Sequence, residues 1–118
     1  MRVGQRRYAL DAMSSLEAVP RLCVVMPCYN ENATIVEIVD RVLASPHTAE
    51  LIIVDDGSTD GTRDILTDID DPRVQVLFQA TNQGKGAAIR RGFEAATAEF
   101  VIVQDADLEY DPIDYDLV

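Results

Sequence analysis

The sequence predicts an α/β fold in which a mostly parallel, Rossmann-like sheet carries helices on both faces. Four short apolar runs rich in Val and Ile occupy 22–26, 51–54, 74–78 and 100–103, and near-continuous apolarity is typical of strands covered on both faces. Segments with helical periodicity separate these runs. Since β-α-β units close through right-handed crossovers, the alternation predicts parallel strands in the order 3-2-1-4.

Three helices are expected between the strands. In the first, apolar residues from Ile35 to Leu43 recur at steps of three and one and form a single stripe. The second is predicted over 62–68 and the third over 86–98. The residues expected to face the sheet are Ile65, Leu66 and Ile69 in the second helix, and Ile89, Phe93 and Ala96 in the third.

Length and composition indicate one domain with a real core, because 47% of the 118 residues are apolar. We expect residues 21–118 to form this domain and residues 1–20 to be a loosely attached leader with a short helix from Tyr8 to Leu16. No apolar segment is long enough to span a bilayer and no secretion signal is recognisable. The chain is therefore expected to be cytoplasmic, with Cys23 and Cys28 as reduced, buried thiols.

The charge balance argues against nucleic acid as a partner. Ten Lys and Arg against 21 Asp and Glu give a formal net charge of -11. Such a field repels phosphate backbones and anionic lipid surfaces unless a local basic patch or a metal ion reverses it.

Polar loops follow each predicted strand, and in an open parallel sheet these loops meet at one edge, where ligands bind. The loops are "PCYNEN", "DDGSTDG", "QATNQGKG" and "QDADLEYDP", whereas "ASPHTAE" and "DDPR" at the opposite edge look like plain turns. We therefore expect the chemistry to lie at the carboxyl edge of the sheet.

Two of these loops have a structural explanation as well as a functional one. Glycines and capping residues explain part of "DDGSTDG", although capping does not require Asp55 and Asp56 together at a strand end. In "NQGKGAAIRRG", Lys85 supplies positive charge beside glycines that allow close approach to a ligand. This loop matches neither a Walker A loop nor a dinucleotide-binding fingerprint, and anion binding and a purely structural role remain open.

The last loop carries the clearest signal for a metal. Alternation in "DADLE" would place Asp105, Asp107 and Glu109 on one side of an extended segment. Hard cations such as Mg²⁺ and Mn²⁺ prefer oxygen ligands, and Mg²⁺ commonly uses one or two carboxylates together with substrate phosphates. The pattern therefore predicts a divalent metal bound together with a diphosphate.

The motifs "VVMPCYNE", "IIVDDGSTDGT", "NQGKGAAIRRG" and "VIVQDADLEYDP", in this order and spacing, resemble the nucleotide-binding part of family 2 glycosyltransferases with the GT-A fold. Within that family the chain looks most like the dolichyl-phosphate and polyprenyl-phosphate sugar transferases. The resemblance covers 21–116. It implies a nucleotide-sugar donor, Mg²⁺ or Mn²⁺, inverting transfer of the sugar, and a lipid-phosphate acceptor reached at the cytoplasmic face of the membrane.

The resemblance also assigns roles to individual positions. Asp56 is expected to meet the nucleotide base with Asp55 beside it, and Lys85 is expected near the phosphates. Asp105 and Asp107 match the D-x-D motif that holds the metal, and Glu109, where similar enzymes often have Gln, is a further candidate ligand. The residues expected to border the nucleotide are Pro27, Tyr29, Glu31, Asp55, Asp56, Lys85 and Asp105.

Similar enzymes continue well past this motif, and the catalytic base of many inverting members lies in that later part. We therefore expect a GT-A domain truncated after the D-x-D strand, any catalytic base beyond Val118, and self-association through an exposed fourth strand. Two alternatives stay open. One is a non-catalytic nucleotide-binding or metal-binding fragment, and the other is a receiver-like signalling domain in which Asp55, Asp56 and Asp105 form the acidic site.

Overall fold

The structure, a computed structural model, describes residues 20–107 and shows a single parallel sheet. The predicted leader helix, from Tyr8 to Leu16, lies outside the described residues. Adjacent strands pair in parallel in the order β3-β2-β1-β4, which confirms the predicted fold class and strand order. The elements are β1 (Leu22–Cys28), α1 (Ile35–Ala44), β2 (Thr48–Asp55), α2 (Thr62–Thr67), β3 (Val74–Phe78), α3 (Lys85–Ala95) and β4 (Phe100–Val103).

The two central strands, β1 and β2, are buried on both faces and divide the core into two layers. Alternate side chains of a strand point to opposite faces, so Val24 and Ile53 pack with α1 and α2 while Val25 and Ile52 pack with α3. The helices therefore cover both faces, as predicted. This double burial explains why the two strands are apolar without interruption.

Both central strands are longer than predicted. The first continues through Pro27 to Cys28. Proline has no amide hydrogen to donate, but the Pro27 nitrogen points toward β4, which ends at Val103 opposite Val25, so no hydrogen bond of the ladder is lost there. The second begins at Thr48, where part of "ASPHTAE" pairs with the start of β1 instead of forming a plain turn. The Thr48 hydroxyl donates to the Val42 carbonyl oxygen over 2.8 Å and so ties the start of β2 to the end of α1.

The prediction for the inward face of α3 was right for Ala96, which packs against the core, and wrong for Phe93. Ala88 and Gly92 are the buried residues of this helix, whereas Phe93 is 48% exposed. The reason is a close approach of the helix to the sheet, since a Cβ atom at Gly92 would lie only 2.4 Å from Cγ1 of Val25. Small side chains are therefore required at the contact, and the larger apolar residue is displaced to the flank of the helix.

The edge strand β4 is only partly covered, unlike the fully buried strand that its apolarity predicted. Phe100, Val101 and Val103 are 50%, 38% and 42% exposed. As expected from the strand order, β4 pairs with β1 on one side and forms the edge of the described sheet on the other. Within residues 20–107, no helix combines the length and apolarity needed to cross a bilayer.

Candidate functional site

A cleft of about 480 Å³ opens at the carboxyl edge of the sheet, between the loops that follow the strands. Of the site residues predicted from sequence that are described, Asp55 is the one that does not line this cleft. The predicted residues that do line it are Pro27, Tyr29, Glu31, Asp56, Lys85, Asp105 and Asp107, and they are joined by Cys28, Asn82, Gly84 and Ala106. Sequence order alone separates these residues by up to 80 positions, and the parallel sheet brings them together.

The carboxylate of Asp55 is buried beneath the cleft and is used by the turn that follows β2. Its Oδ1 accepts a hydrogen bond from the Ser58 hydroxyl over 2.5 Å and its Oδ2 accepts from the Ser58 amide over 3.1 Å. The guanidinium of Arg63 lies 3.7 Å from Oδ2. With an exposure of 0%, this carboxylate holds the "DDGS" turn in shape and does not face the cleft.

Asp56 has a different environment, although it is the next residue. Its Oδ1 accepts from the Gln79 side-chain amide over 2.8 Å and from the Gln83 backbone amide over 2.7 Å, and its Oδ2 accepts from the Gly84 amide over 2.9 Å. Three donors compensate for burying a charged group that is 4% exposed. Asp56 therefore fastens the loop after β3, and with it Lys85, to the end of β2.

The loops after β2 and β3 also touch directly through their backbones. A Cβ atom at Gly57 would lie 2.7 Å from the Asn82 nitrogen and 2.8 Å from the Thr81 carbonyl carbon. The φ angle of Gly57 is +81°, in the left-handed region that favours glycine. Both space and backbone conformation thus require glycine where this wall of the cleft is built.

The loop after β1 is held by asparagine and hydroxyl side chains that the sequence analysis did not single out. Asn30 has a φ angle of +52°. Its backbone amide donates to the Ser58 hydroxyl oxygen over 2.8 Å, and its side-chain Oδ1 accepts from the Thr59 backbone amide over 2.8 Å. The Glu31 amide donates to the Thr62 hydroxyl over 3.1 Å. The signal in the sequence was "YNEN", since Asn is common where an isolated residue adopts a left-handed conformation. These bonds present the intervening side chains to the cleft.

One end of the cleft combines two carboxylates with a lysine. The Lys85 ammonium lies 2.6 Å from Oδ1 of Asp105, and Asp107 lines the same end. β4 ends at Val103 and the chain bends at 106 and 107, so the predicted alternation along an extended segment is not what brings the two carboxylates to the cleft. Glu109 lies outside the described residues.

The donor set at this end fits a divalent cation that shares its ligands with phosphate. Two carboxylates plus phosphate oxygens form a normal Mg²⁺ environment, and Asp105 and Asp107 supply the carboxylates. Within 20–107, no group of three Asp, Glu, His or Cys side chains is arranged as a complete site made by protein alone.

Cys28 lines the cleft but is not a nucleophile at neutral pH. Burial raises the pKa of its thiol to about 12, and the carboxylates of Asp55, Glu31 and Asp60 act in the same direction. A thiolate is the reactive form of cysteine, so this side chain stays protonated and inert. Cys23 is also buried, and both cysteines are free, as predicted.

The family model for glycosyl transferase family 2 matches residues 23–115, a span that contains every described wall of the cleft. The chain belongs to glycosyl transferase family 2. This membership confirms the resemblance seen in the four sequence motifs and shows that the receiver-like alternative was wrong.

Individual proteins are similar to the chain in sequence and in structure. It is 36% identical over 107 residues to undecaprenyl-phosphate 4-deoxy-4-formamido-L-arabinose transferase of Proteus mirabilis, a match that covers 85% of the chain and 33% of that relative. S. aureus TarS superposes with a TM-score of 0.70 at 28% identity, over 82% of the chain and 31% of the TarS chain. Mannosyltransferase PcManGT of Pyrobaculum calidifontis, solved with GDP-Man and Mn²⁺, superposes with a TM-score of 0.65 at 30% identity, over 75% and 28%.

The described fold is that of the GT-A glycosyltransferases of family 2, with a four-stranded parallel sheet and helices on both faces. The chain spans about a third of the length of the curated relatives it matches. The cleft is lined by residues of the four sequence motifs, all within the span that the family model matches.

Proposed function

We propose that the cleft binds the nucleotide part of a nucleotide-sugar donor together with Mg²⁺ or Mn²⁺, and that the protein is an inverting glycosyltransferase. The observation that carries this proposal is that metal-binding carboxylates, a lysine and a buried aspartate line one cleft. Lys85, Asp105 and Asp107 meet at one end, and the same cleft is lined by a buried carboxylate, Asp56, and by Tyr29. A nucleoside diphosphate needs both a charged end and a polar contact for its base.

The metal end is assigned to Asp105 and Asp107, with Glu109 as a further proposed ligand. When bound, the metal would offset the negative charge that builds on the leaving diphosphate. Lys85 is positioned to act on the same oxygens, because its ammonium already lies 2.6 Å from Asp105. A lysine so placed would turn from the carboxylate to a phosphate oxygen as the nucleotide enters.

The base end is assigned to Asp56, with Pro27, Tyr29 and Glu31 bordering the nucleotide. Of the Asp56 oxygens, Oδ1 accepts two of the hydrogen bonds described above and Oδ2 accepts one. A carboxylate oxygen has room for a further donor, so Oδ2 is the atom proposed to accept from the base. Tyr29, 45% exposed, offers an aromatic face at the mouth of the same cleft.

The acceptor is proposed to be a polyprenyl phosphate at the cytoplasmic face of a membrane. The support is the printed activity of relatives such as the undecaprenyl-phosphate transferase of Proteus mirabilis. A phosphate oxygen is already anionic near neutral pH, since its second pKa is about 6. Attack on the anomeric carbon by such an oxygen requires no strong general base, and none of the described residues is assigned that role.

A thermal-shift panel tests the proposed donor class. The melting temperature of the chain is measured with UDP, GDP, UDP-sugars and GDP-sugars, each with Mn²⁺ and with excess chelator. A ligand that binds only the folded state stabilises it by RT ln(1 + L/Kd), where L is the free ligand concentration. We expect one nucleotide series to raise the melting temperature in the presence of Mn²⁺, and no shift with any member would contradict the proposal.

A further inference from the structure

The hydroxyl of Thr34 does not do what its position in the chain predicts. Thr34 is the N-cap residue of α1, where a threonine side chain normally accepts a hydrogen bond from its own helix. In this structure it makes no capping bond. Instead, the hydroxyl oxygen lies 2.9 Å from the carbonyl oxygen of Ala106, 72 positions along the chain, and 3.0 Å from Oε2 of Glu31.

Ala106 stands between the two carboxylates that line the metal end of the cleft. The residue is 3% exposed and belongs to the core that β1 shares with α1. The segment is thus fixed twice, by burial of this side chain and by donation from Thr34 to its carbonyl oxygen. Since that carbonyl belongs to the same peptide plane as the Asp107 amide, the hydrogen bond sets the direction in which the chain leaves Ala106.

We propose that Thr34 is a positioning residue that orients Asp105 and Asp107 for metal binding, an inference that rests on the proposed function of the cleft. A partner behind the ligands commonly fixes their orientation and contributes to metal affinity. Thr34 does so through the backbone, without lining the cleft itself.

The same hydroxyl lies between the Ala106 carbonyl oxygen and Glu31, which also lines the cleft and is proposed above to border the nucleotide. A threonine has one proton to donate, so donation to Ala106 excludes donation to Glu31 at that moment. A ligand that supplies Glu31 with another donor would leave the Thr34 proton to the Ala106 carbonyl. Nucleotide binding would thereby strengthen the orientation of the metal-binding segment.

The first arm of the test needs neither metal nor nucleotide. Amide hydrogen exchange at 105–107 is compared among the wild type, Thr34→Val and Thr34→Ser, with Thr67→Val as a matched control that removes a hydroxyl bonded to the Arg63 carbonyl in α2. We expect Thr34→Val alone to speed exchange at 105–107, while exchange in the middle of α1 is unchanged. Unchanged exchange at 105–107 would overturn the tether.

The second arm measures apparent Mn²⁺ affinity by titration at a fixed concentration of GDP or UDP. Thr34→Val should weaken Mn²⁺ by about 10-fold, the lower end of the usual effect of losing a supporting residue, and Thr34→Ser should restore it. Equal weakening by both substitutions, or none by Thr34→Val, would overturn the positioning role. Absence of Mn²⁺ and nucleotide binding in the wild type would instead reject the proposed function, and the exchange arm would still report on the tether.

Discussion

Two adjacent carboxylates at the end of β2 have different structural roles. Asp55 is fully buried and bonded to Ser58, whereas Asp56 reaches the cleft and holds the backbone of the loop after β3. The resemblance assigned Asp56 to the base with Asp55 beside it, but nothing in the sequence showed that Asp55 would be buried in its own turn. The division depends on donors from Gln79 to Gly84, and no local pattern specifies where that loop will lie.

The residue-scale prediction concerns Asp56→Ala. The substitution leaves the buried Gln79 side-chain amide and the partly buried Gln83 and Gly84 backbone amides without their acceptor. We therefore expect a loss of about 3 kcal/mol in the free energy of unfolding. If Asp56 also contacts the base, nucleoside diphosphates should be weakened more than pyrophosphate. Urea denaturation and competition binding measure the two effects.

Asp40→Ala is the matched control, because Asp40 is an exposed carboxylate within α1. It should leave both stability and ligand binding near wild type. Equal weakening of nucleoside diphosphates and pyrophosphate by Asp56→Ala would remove Asp56 from the base contact and leave it as a support for the loop.

At the scale of elements, periodicity found every described helix and strand but did not decide how α3 packs. Its sequence offers two neighbouring faces, one with Ile89 and Phe93 and one with Ala88 and Gly92. Apolar size favours the first. The structure uses the second, because the missing side chain of Gly92 lets the helix lie close to Val25. A close approach is a property of the pair of elements, so the sequence of one helix does not reveal it.

The two glycines of α3 give the element-scale prediction. Gly92→Ala would place a Cβ atom 2.4 Å from the Val25 side chain, and we expect it to destabilise the fold by about 1–3 kcal/mol through overpacking. Gly86→Ala, in the same helix, meets only the end of the Arg90 side chain at 3.7 Å. Alanine favours helix more than glycine does, so Gly86→Ala should be neutral or stabilise by roughly 0.5 kcal/mol.

Thermal or urea denaturation of the two variants distinguishes these outcomes. A destabilisation of Gly92→Ala no larger than that of Gly86→Ala would mean that α3 does not approach the sheet as closely as described.

At the scale of the whole molecule, the fold and its strand order followed from the alternation of elements, and the carboxyl edge followed from the position of the polar loops. The exposure of β4 was less predictable. Its apolar residues indicate a covered strand, yet Val101 and Val103 are exposed on the side of the sheet that carries α3. What covers a strand depends on elements other than the strand itself.

The prediction at this scale is self-association through β4. An apolar strand with an unpaired edge is a template for pairing with another chain, so the 118-residue chain should form dimers or larger species as its concentration rises. Val101→Lys should suppress this, because a charge on an edge strand opposes pairing. Val36→Lys replaces a 56% exposed valine on α1 and should have no such effect. Light scattering across a concentration series is the measurement, and a monomer at every concentration would contradict the prediction.

The cleft is proposed to bind a nucleoside diphosphate through a divalent cation held by Asp105 and Asp107. Calorimetric titration of GDP and UDP, with Mn²⁺ and with excess chelator, tests it most directly when the wild type is compared with Asp107→Asn. We expect binding of one nucleotide with Mn²⁺, little or none with chelator, and loss of the Mn²⁺ dependence in Asp107→Asn. Equal affinity with chelator and with Mn²⁺ would contradict it.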